Sequence, residues 1–197
     1  MARPVEFDRD AALEAAMRLF WAQGYLATSV EELLKAMGIA RSSLYAAFGD
    51  KRSLFVEVLR LFSDRTRAMF TEAWAETESL EAVPRFFRTT LLEVPRRRAG
   101  RGCLMVNTIL ELAEVDAGLS GLATKELARV EAAFTECFSR AQAAGEYPTE
   151  RSAEALAAHL MLVNQGLRVA SRKRTSPSEL GEQIDTALSL LELPGVP

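Results

Sequence analysis

Apolar residues recur at steps of three and four along most of the chain, which is the spacing of amphipathic α-helices. Nowhere do β-branched residues alternate with polar ones over several positions, as expected of half-buried strands. The pattern therefore predicts an all-α protein of about nine helices. Beyond three helices in the first fifty residues and a long helix from about Lys51, the further helices are expected near 79–95, 103–115, 119–144, 150–173 and 177–193.

Capping signals place the first two helices. The first covers about 8–23 and ends at Gly24, a residue that tolerates the backbone conformation found at helix C-termini. The run Thr28-Ser29-Val30-Glu31 is typical of a capping box, in which the Thr28 hydroxyl accepts from the third helical amide and Glu31 reaches back. Thr28 is therefore the predicted N-cap of the second helix.

A tight turn at Gly38 joins the second helix to a third at 39–48, and Asp50 is placed to cap the long fourth helix. Two short helices joined by a glycine-containing turn indicate a helix-turn-helix. We expect this DNA-binding domain over 1–55, joined by the long helix to a second helical domain over 56–197.

Composition favours a folded protein without membrane segment, metal or cofactor. Hydrophobic residues make up 49% of the 197, which is enough for a core, and no run approaches the roughly 20 apolar residues of a membrane span. The first six residues run into charges without a signal-peptide core, so we expect a cytoplasmic protein. Two cysteines and one histidine are too few for a disulfide framework or a metal motif.

The distribution of charge is more informative than its sum, which is -3. Within residues 35–52, four bases (Lys35, Arg41, Lys51 and Arg52) stand against Asp50 as the single acid. That window coincides with the third helix, the one that would read DNA in a helix-turn-helix. A second arginine cluster, Arg96-Arg97-Arg98 with Arg101, lacks interleaved aromatic residues, so a solvated loop is favoured over a second nucleic-acid patch.

The segment from Thr28 to Lys51, preceded by Gly24-Tyr25, closely resembles the DNA-binding signature of the TetR family of transcriptional regulators. In that signature Gly-Tyr follows helix 1, Thr-Ser or Thr-Thr opens helix 2, Gly-Val or Gly-Ile forms the turn, and Leu-Tyr-x-x-Phe-x-x-Lys closes the unit. The match spans about residues 8–62, and the rest of the chain resembles the family in helical layout alone. The resemblance implies a C-terminal bundle that binds a ligand and forms a homodimer.

Phosphate contacts are expected at the edges of the predicted helix-turn-helix. Thr28 and Ser29, at the start of helix 2, combine small hydroxyls with free backbone amides. Tyr45 can bury its ring and send its hydroxyl to a phosphate, while Lys51 supplies a point charge. The alternatives are that Thr28 and Asp50 act as helix caps alone and that Tyr45 is a half-buried core residue.

Base contacts are expected from the start of helix 3, the part that enters the major groove. Arg41, Ser42 and Ser43 lie there, and Arg41 is suited to a bidentate contact with guanine. An ordinary solvated arginine is the alternative. The sequence departs from the family at Ala40, where relatives often have a capping Ser or Thr, and at Ala46-Ala47, where many have polar residues.

Cys103 opens a predicted helix in the run Arg101-Gly102-Cys103-Leu104, which resembles a Gly-Cys-Leu segment of some TetR regulators that respond to electrophiles or oxidants. A thiol at a helix N-terminus beside Arg101 favours the thiolate, so Cys103 is a candidate sensor. A small buried cysteine that merely fills space is the alternative, and Cys137, beside Phe134 and Phe138, is expected to be plain core.

Four polar residues on otherwise apolar helices are further candidates for binding an effector, although structural or surface roles are as well supported. They are Asn107, Glu111, His159 and Asn164.

The last two predicted helices carry apolar stripes that are expected to form the dimer, as the resemblance implies. The two stripes are Leu156, Leu160, Val163, Gly166 and Leu167 on one helix, and Ile184, Leu188 and Leu191 on the other.

These features predict a sequence-specific regulator, a repressor released from a palindromic operator of double-stranded DNA by a small-molecule or electrophile effector. Activation in place of repression stays open, because the sequence does not record where the operator lies. A helical enzyme would need a convergent nucleophile, base or metal set, and the chain has no Cys-His pairing or glycine-rich phosphate loop. A nonspecific architectural DNA binder is the remaining alternative.

Overall fold

A computed structural model describes residues 7–93, 100–173 and 175–193. Within these ranges the secondary structure is helical throughout, with nine helices and no strand, which confirms the predicted fold class. The helices are α1 (Arg9–Gln23), α2 (Val30–Met37), α3 (Arg41–Phe48), α4 (Lys51–Thr77), α5 (Ala82–Leu91), α6 (Leu104–Leu112), α7 (Ala117–Ala143), α8 (Ala153–Arg172) and α9 (Pro177–Ser189).

The structure divides into two compact units. Unit 1 runs to Ser63 and also contains Leu104–Glu126, so it holds α1 to α3, the start of α4, all of α6 and the start of α7. Unit 2 contains Asp64–Cys103 and the chain from Leu127 onward. The domain boundary after residue 55 stays a prediction, because these units are defined by contacts and not by independent folding.

The core of unit 1 forms because α1 buries its apolar face against the start of α4. Phe20 is fully buried, and its ring meets Phe55 edge-on with 4.7 Å between centroids. Tyr25 follows α1 and tilts against the same Phe55 ring at 4.8 Å. Aromatic pairs of this geometry stabilise a core beyond the apolar area that they bury.

Ser29 caps α2, one residue later than predicted. Its hydroxyl accepts from the amide of Glu32 at 3.2 Å, and the Glu32 carboxylate accepts from the Ser29 amide at 2.8 Å. The Thr28 hydroxyl instead donates to the carbonyl of Gly24 at 2.6 Å, and Thr28 is 1% exposed. The predicted capping box Thr28–Glu31 was therefore wrong in register, because Thr28 satisfies the end of α1 and the next hydroxyl is left to cap α2.

The cap predicted for α4 is confirmed, since the Asp50 carboxylate accepts from the amide of Ser53 at 2.6 Å. At the start of α3, Ala40 occupies the N-cap position and provides no side-chain hydrogen bond. The first turn of α3 therefore keeps backbone amides that no cap residue satisfies.

Unit 2 is built around a cluster of phenylalanine rings. Phe70 meets Phe134 at 4.9 Å and Phe86 at 5.6 Å, both nearly perpendicular, and Phe86 also contacts Phe87. All four side chains are buried. Helices α5, α8 and α9 pack on one another in the same unit. No helix in the described part of the chain is both long enough and apolar enough to cross a bilayer.

Of the eight residues in the two stripes predicted for the dimer, the five leucines and the isoleucine are buried within the single chain, whereas Val163 is half-buried and Gly166 is exposed. A residue already covered by its own chain cannot cover a partner. The other face of α8 is exposed and carries residues at alternating steps of four and three, namely Ala155, His159, Leu162, Gly166 and Val169. The cluster Arg96-Arg97-Arg98 lies outside the described residues.

Candidate DNA-binding site

The turn between α2 and α3 depends on Gly38, which has φ 67° and ψ 29°. This left-handed conformation costs glycine little, and the Gly38 amide donates back to the carbonyl of Leu34. The chain reverses there and starts α3 at Arg41 after two residues. Gly38 thus produces the helix-turn-helix geometry that the sequence indicates.

The inward face of α3 is apolar and its opposite face is open to solvent. Leu44 and Phe48 are buried in unit 1, whereas Arg41 and Ser42 are exposed at the N-terminal end of the helix. Ser43 is half-buried. The exposed end is the part of a recognition helix that contacts base edges in helix-turn-helix proteins.

Arg41 forms an ion pair with Glu31 of α2. The hydrogen bond that Arg41 donates to Glu31 raises the pKa of the Arg41 guanidinium, while a backbone hydrogen bond and then the bond from Arg41 lower the pKa of Glu31. Both side chains are solvent-exposed, with 52% of Arg41 accessible, so the pair adds little to stability. The predicted contact of Arg41 with a base would compete with this carboxylate.

The residues predicted to contact phosphates lie in different environments. Ser29 is exposed at the start of α2, and Tyr45 is 47% exposed on α3. Thr28 is buried, with its hydroxyl donated to Gly24. The Lys51 ammonium lies 4.4 Å from the centroid of the Tyr25 ring, a cation–π contact.

Lys51 is half-buried, and this lowers the pKa of its ammonium. The carboxylates of Glu111 and Glu32 act in the opposite direction and favour the charged form. The ammonium of Lys51 therefore lies over the aromatic face of Tyr25, in a region where two acids favour its charged form.

Arg52, one residue further, is tied to Asp116 before α7. Two parallel hydrogen bonds of 3.1 Å join the guanidinium to both carboxylate oxygens. Asp116 also accepts from the amide of Leu119 at 2.9 Å and so caps α7. The Arg52 hydrogen bond and then the Leu119 amide lower the pKa of Asp116.

Glu111, predicted from the sequence to line an effector site, contacts the α1–α2 loop in unit 1. Its carboxylate accepts from the amides of Tyr25 at 3.0 Å and Leu26 at 2.8 Å. This role could not be predicted from the sequence, because the hydrogen bonds go to backbone groups 85 and 86 residues away.

The other residues predicted for effector binding lie in different environments. Asn107 is half-buried on α6 in unit 1, while Cys103 is a buried free thiol in unit 2. In unit 2, Asn164 is buried and bonded to Arg168, whereas exposed His159 lines a cavity of about 600 Å³ between the start of α8 and the segment after α9.

Sequence reasoning missed Arg168, a buried arginine on the same side of α8 as Leu160 and Leu167. A charged residue within an apolar helical face was the available signal, since charged residues are rarely buried without a function or a partner.

Two family models match the chain. One, described as bacterial regulatory proteins of the tetR family, matches residues 12–58 and covers the helix-turn-helix. The other, described as a tetracyclin repressor-like C-terminal domain, matches residues 79–186, more than half of the chain. The chain belongs to the TetR family. Its members are DNA-binding transcriptional regulators, so the family expected from residues 24–51 is confirmed.

Two named relatives and one solved structure support the assignment to the TetR family. The transcriptional repressor ComR of Escherichia coli is 33% identical over 95% of this chain and 90% of its own length. The uncharacterised regulator YezE of Bacillus subtilis is 28% identical over 98% of this chain and its full length. A cysteine mutant of the TetR regulator CifR, complexed with 26-bp operator DNA, is 31% identical with a TM-score of 0.85 over 95% of this chain and 98% of that chain.

Proposed function

We propose that this TetR-family protein is a homodimeric repressor that binds a palindromic DNA operator and leaves it when an effector acts on unit 2. The observation that carries the proposal is the exposed N-terminal end of α3, where Arg41 and Ser42 face away from a core made by Leu44 and Phe48. The complex of CifR with operator DNA supports the same use of the fold.

Within the DNA interface, Arg41, Ser42 and Ser43 contact base edges, with Arg41 moving from Glu31 to a guanine. Ser29, Tyr45 and Lys51 contact phosphates and orient α3. Thr28 acts indirectly, because its buried hydroxyl fixes the loop that places Ser29 at the start of α2.

Dimerisation uses the exposed face of α8. Its residues Ala155, His159, Leu162, Gly166 and Val169 recur at a mean step of 3.5, which is the spacing of a seam between two packed helices. Leu162 is 67% exposed and Val169 46% exposed in the single chain, and a partner would cover both. Two copies of α3 can then meet successive major grooves on one face of the duplex.

The effector acts on unit 2, and Cys103 is the residue that an electrophile modifies. Cys103 directly precedes α6, and α6 carries Glu111, which holds the α1–α2 loop of unit 1. A change at Cys103 therefore reaches the DNA-binding helices along a short stretch of chain. A coupling of about 1–3 kcal/mol is typical of allosteric regulators and suffices for release.

Selection from random duplexes tests the DNA-binding part of the proposal. Full-length protein should enrich a sequence with two inverted half-sites, about 10 bp between centres, and its affinity should fall steeply with added salt because phosphate contacts release counterions. Transcription from a template that carries this sequence over a promoter should fall when protein is added. Enrichment of no sequence over random DNA would overturn the proposal.

Cys103→Ser tests the effector part. The variant should bind the selected operator as the unmodified protein does and should lose any release caused by thiol-modifying compounds. Cys137→Ser is the matched control, because burial raises the pKa of Cys137 to about 12 and leaves it unreactive at neutral pH. Release that survives in Cys103→Ser would rule out Cys103 as the sensor.

A further inference from the structure

Arg9 is the first residue of α1, which is an unfavourable place for a cation in that helix. The N-terminus of a helix carries the positive end of its dipole, so an acid suits it and a base does not. The carboxylate of Asp8 already caps α1 there and accepts from the amide of Ala11 at 2.9 Å. Arg9 therefore gains nothing from its own helix, and the contacts of its side chain lie elsewhere in unit 1.

The Arg9 guanidinium joins α1 to α3 and α4. Nη2 donates to both carboxylate oxygens of Glu57 on α4, at 2.8 and 2.7 Å. The same nitrogen lies 3.4 Å from the carbonyl oxygen of Ala47, a long hydrogen bond to the last turn of α3. The guanidinium carbon is 4.5 Å from the centroid of the Phe48 ring, a cation–π contact. Three helices of unit 1 therefore meet at one side chain.

Helix α3 depends on its neighbours, because it is short and lacks a side-chain cap. It has eight residues, and helices of fewer than about 12 to 15 residues are marginal by themselves. Its N-cap residue, Ala40, makes no side-chain hydrogen bond. At the other end, the last carbonyls carry the negative end of the dipole, and Arg9 places a cation beside the carbonyl of Ala47. Arg9 thus supports α3 at the end opposite to Arg41.

The contacts of Arg9 differ in what they contribute. The side chains of Arg9 and Glu57 are 46% and 32% exposed, so their ion pair alone adds little to the free energy of unfolding. Phe48 is 4% exposed and packs in the core of unit 1. The contacts with Phe48 and Ala47 therefore restrain α3 against α1, while Glu57 keeps the guanidinium over the ring.

We infer that Arg9 is a positioning residue for the recognition helix α3. It fixes the C-terminal end of α3 and so the orientation in which Arg41 and Ser42, at the other end, meet base edges. This role rests on the proposed function, in which that end of α3 reads bases. Contacts with base edges tolerate a narrower range of orientations than contacts with phosphates. Loss of Arg9 should therefore reduce discrimination between sequences more than it reduces binding to DNA in general.

A direct contact of Arg9 with a DNA phosphate is the alternative, and Glu57 distinguishes the two roles. If Arg9 binds a phosphate, Glu57→Gln frees a cation and removes a negative charge, so affinity should rise for all sequences while discrimination is unchanged. If Arg9 positions α3, Glu57→Gln loosens the guanidinium and should lower discrimination, as Arg9→Gln does.

The test measures affinity by fluorescence anisotropy across a salt series, on the selected operator and on duplexes with single-base changes in each half-site. Full-length Arg9→Gln and Glu57→Gln should each lower the ratio of operator affinity to variant affinity about threefold, the factor expected of an exposed cation–π contact. In Arg9→Gln the slope of log affinity against log salt concentration should stay as in the unmodified protein. Arg60→Gln is the matched control, because it removes an exposed base of α4, and it should leave the ratio unchanged.

Hydrogen exchange of the protein without DNA tests the same role independently of operator binding. Arg9→Gln should speed exchange of the α3 amides about threefold or more relative to those of α1, because α3 loses its support at the C-terminal end. Arg60→Gln should leave exchange in both helices unchanged.

The possible outcomes separate this role from the proposed function. A salt slope reduced by about 1 in Arg9→Gln, with an unchanged affinity ratio, would show a phosphate contact and overturn the inference. Faster exchange in α3 with an unchanged ratio would also overturn it, because Arg9 would then support the helix without affecting base reading. If the unmodified protein selects no sequence, the proposed function fails, and the exchange rates still show whether Arg9 holds α3.

Discussion

The carboxylate of Glu111 lies directly against Gly24. A Cβ placed on Gly24 would be 2.7 Å from Glu111 Oε2, closer than a Cβ atom approaches other heavy atoms, so the carboxylate would have to shift away from the amides of Tyr25 and Leu26 that it binds. Glycine is required there for a second reason, since Gly24 has φ +88°. The loop between α1 and α2 is therefore shaped by a residue of α6, which is far away in the sequence.

Gly24→Ala should destabilise the protein by at least about 1 kcal/mol more than Gly145→Ala. Both positions have positive φ, but Gly24, at φ 88° and ψ 173°, lies in a backbone region that is essentially restricted to glycine, and a Cβ on Gly145 meets nothing within 4 Å. Urea unfolding at matched protein concentration measures both variants, because dimer stability depends on concentration.

Glu111→Ala should also lower the free energy of unfolding, by about 1–3 kcal/mol, because two loop amides lose a charged acceptor. Glu114→Ala, an exposed acid in the same segment, should change stability by less than about 0.5 kcal/mol. In the double variant the Gly24→Ala and Glu111→Ala penalties should not add, since removing the carboxylate relieves the clash. Additivity within about 0.3 kcal/mol would contradict the contact.

Arg41→Ala and Lys51→Ala should affect DNA binding in different ways. Losing Arg41 should cost about 1–3 kcal/mol on the selected operator and relax the preference at one base pair in each half-site. Losing Lys51 should weaken binding to all DNA sequences alike. It should also reduce the slope of log affinity against log salt concentration by about 1. Fluorescence anisotropy across a salt series, on operator and on single-base variants, distinguishes the two.

Glu31→Gln should strengthen binding to DNA of any sequence, because it frees Arg41 and removes a negative charge beside the phosphates. Equal affinities of Glu31→Gln and the unmodified protein at low salt would show that the Arg41–Glu31 ion pair does not compete with DNA.

Leu162→Arg should convert the proposed dimer to a monomer and weaken operator binding, because it places a charge in the centre of the exposed α8 face. Leu110→Arg is the matched control, since Leu110 is 75% exposed on α6 in unit 1 and Leu162 67% exposed on α8. Light scattering after size-exclusion chromatography measures both. A dimer that survives Leu162→Arg would place the interface elsewhere.

Arg52→Gln should raise the pKa of Asp116, because the hydrogen bond from Arg52 is the main cause that lowers it. In the folded protein this pKa lies below the ordinary aspartate value, so the stabilisation is present at neutral pH and is lost as the pH falls through the folded pKa. NMR titration of the side-chain carboxyl measures the shift. Lys125→Gln is the control. It also removes one positive charge, at a position nine residues after Asp116, and should leave the pKa of Asp116 unchanged.

Much of the fold depends on residues that are close together in the sequence, and the sequence predicts these parts well. Helix positions follow from the spacing of apolar residues, and Gly24, Gly38 and Asp50 mark helix boundaries through backbone and capping preferences that act within a few residues. The single error of register, Thr28 for Ser29, arose because both hydroxyls suit a cap. In the folded chain the turn brings the carbonyl of Gly24 close to Thr28, whose hydroxyl donates to it, so Ser29 is the residue that caps α2.

Local patterns in the sequence are enough to show that the chain is helical, where its helix-turn-helix lies and which end of α3 is polar, because each depends on neighbours three or four positions apart. The folded chain alone shows which face of α8 is covered, that Glu111 supports the α1–α2 loop, and that Arg168 is buried with neutral partners. Helical periodicity shows that a face is apolar or a residue polar. It does not show what covers that face or accepts that hydrogen bond, since the partner comes from a distant part of the chain.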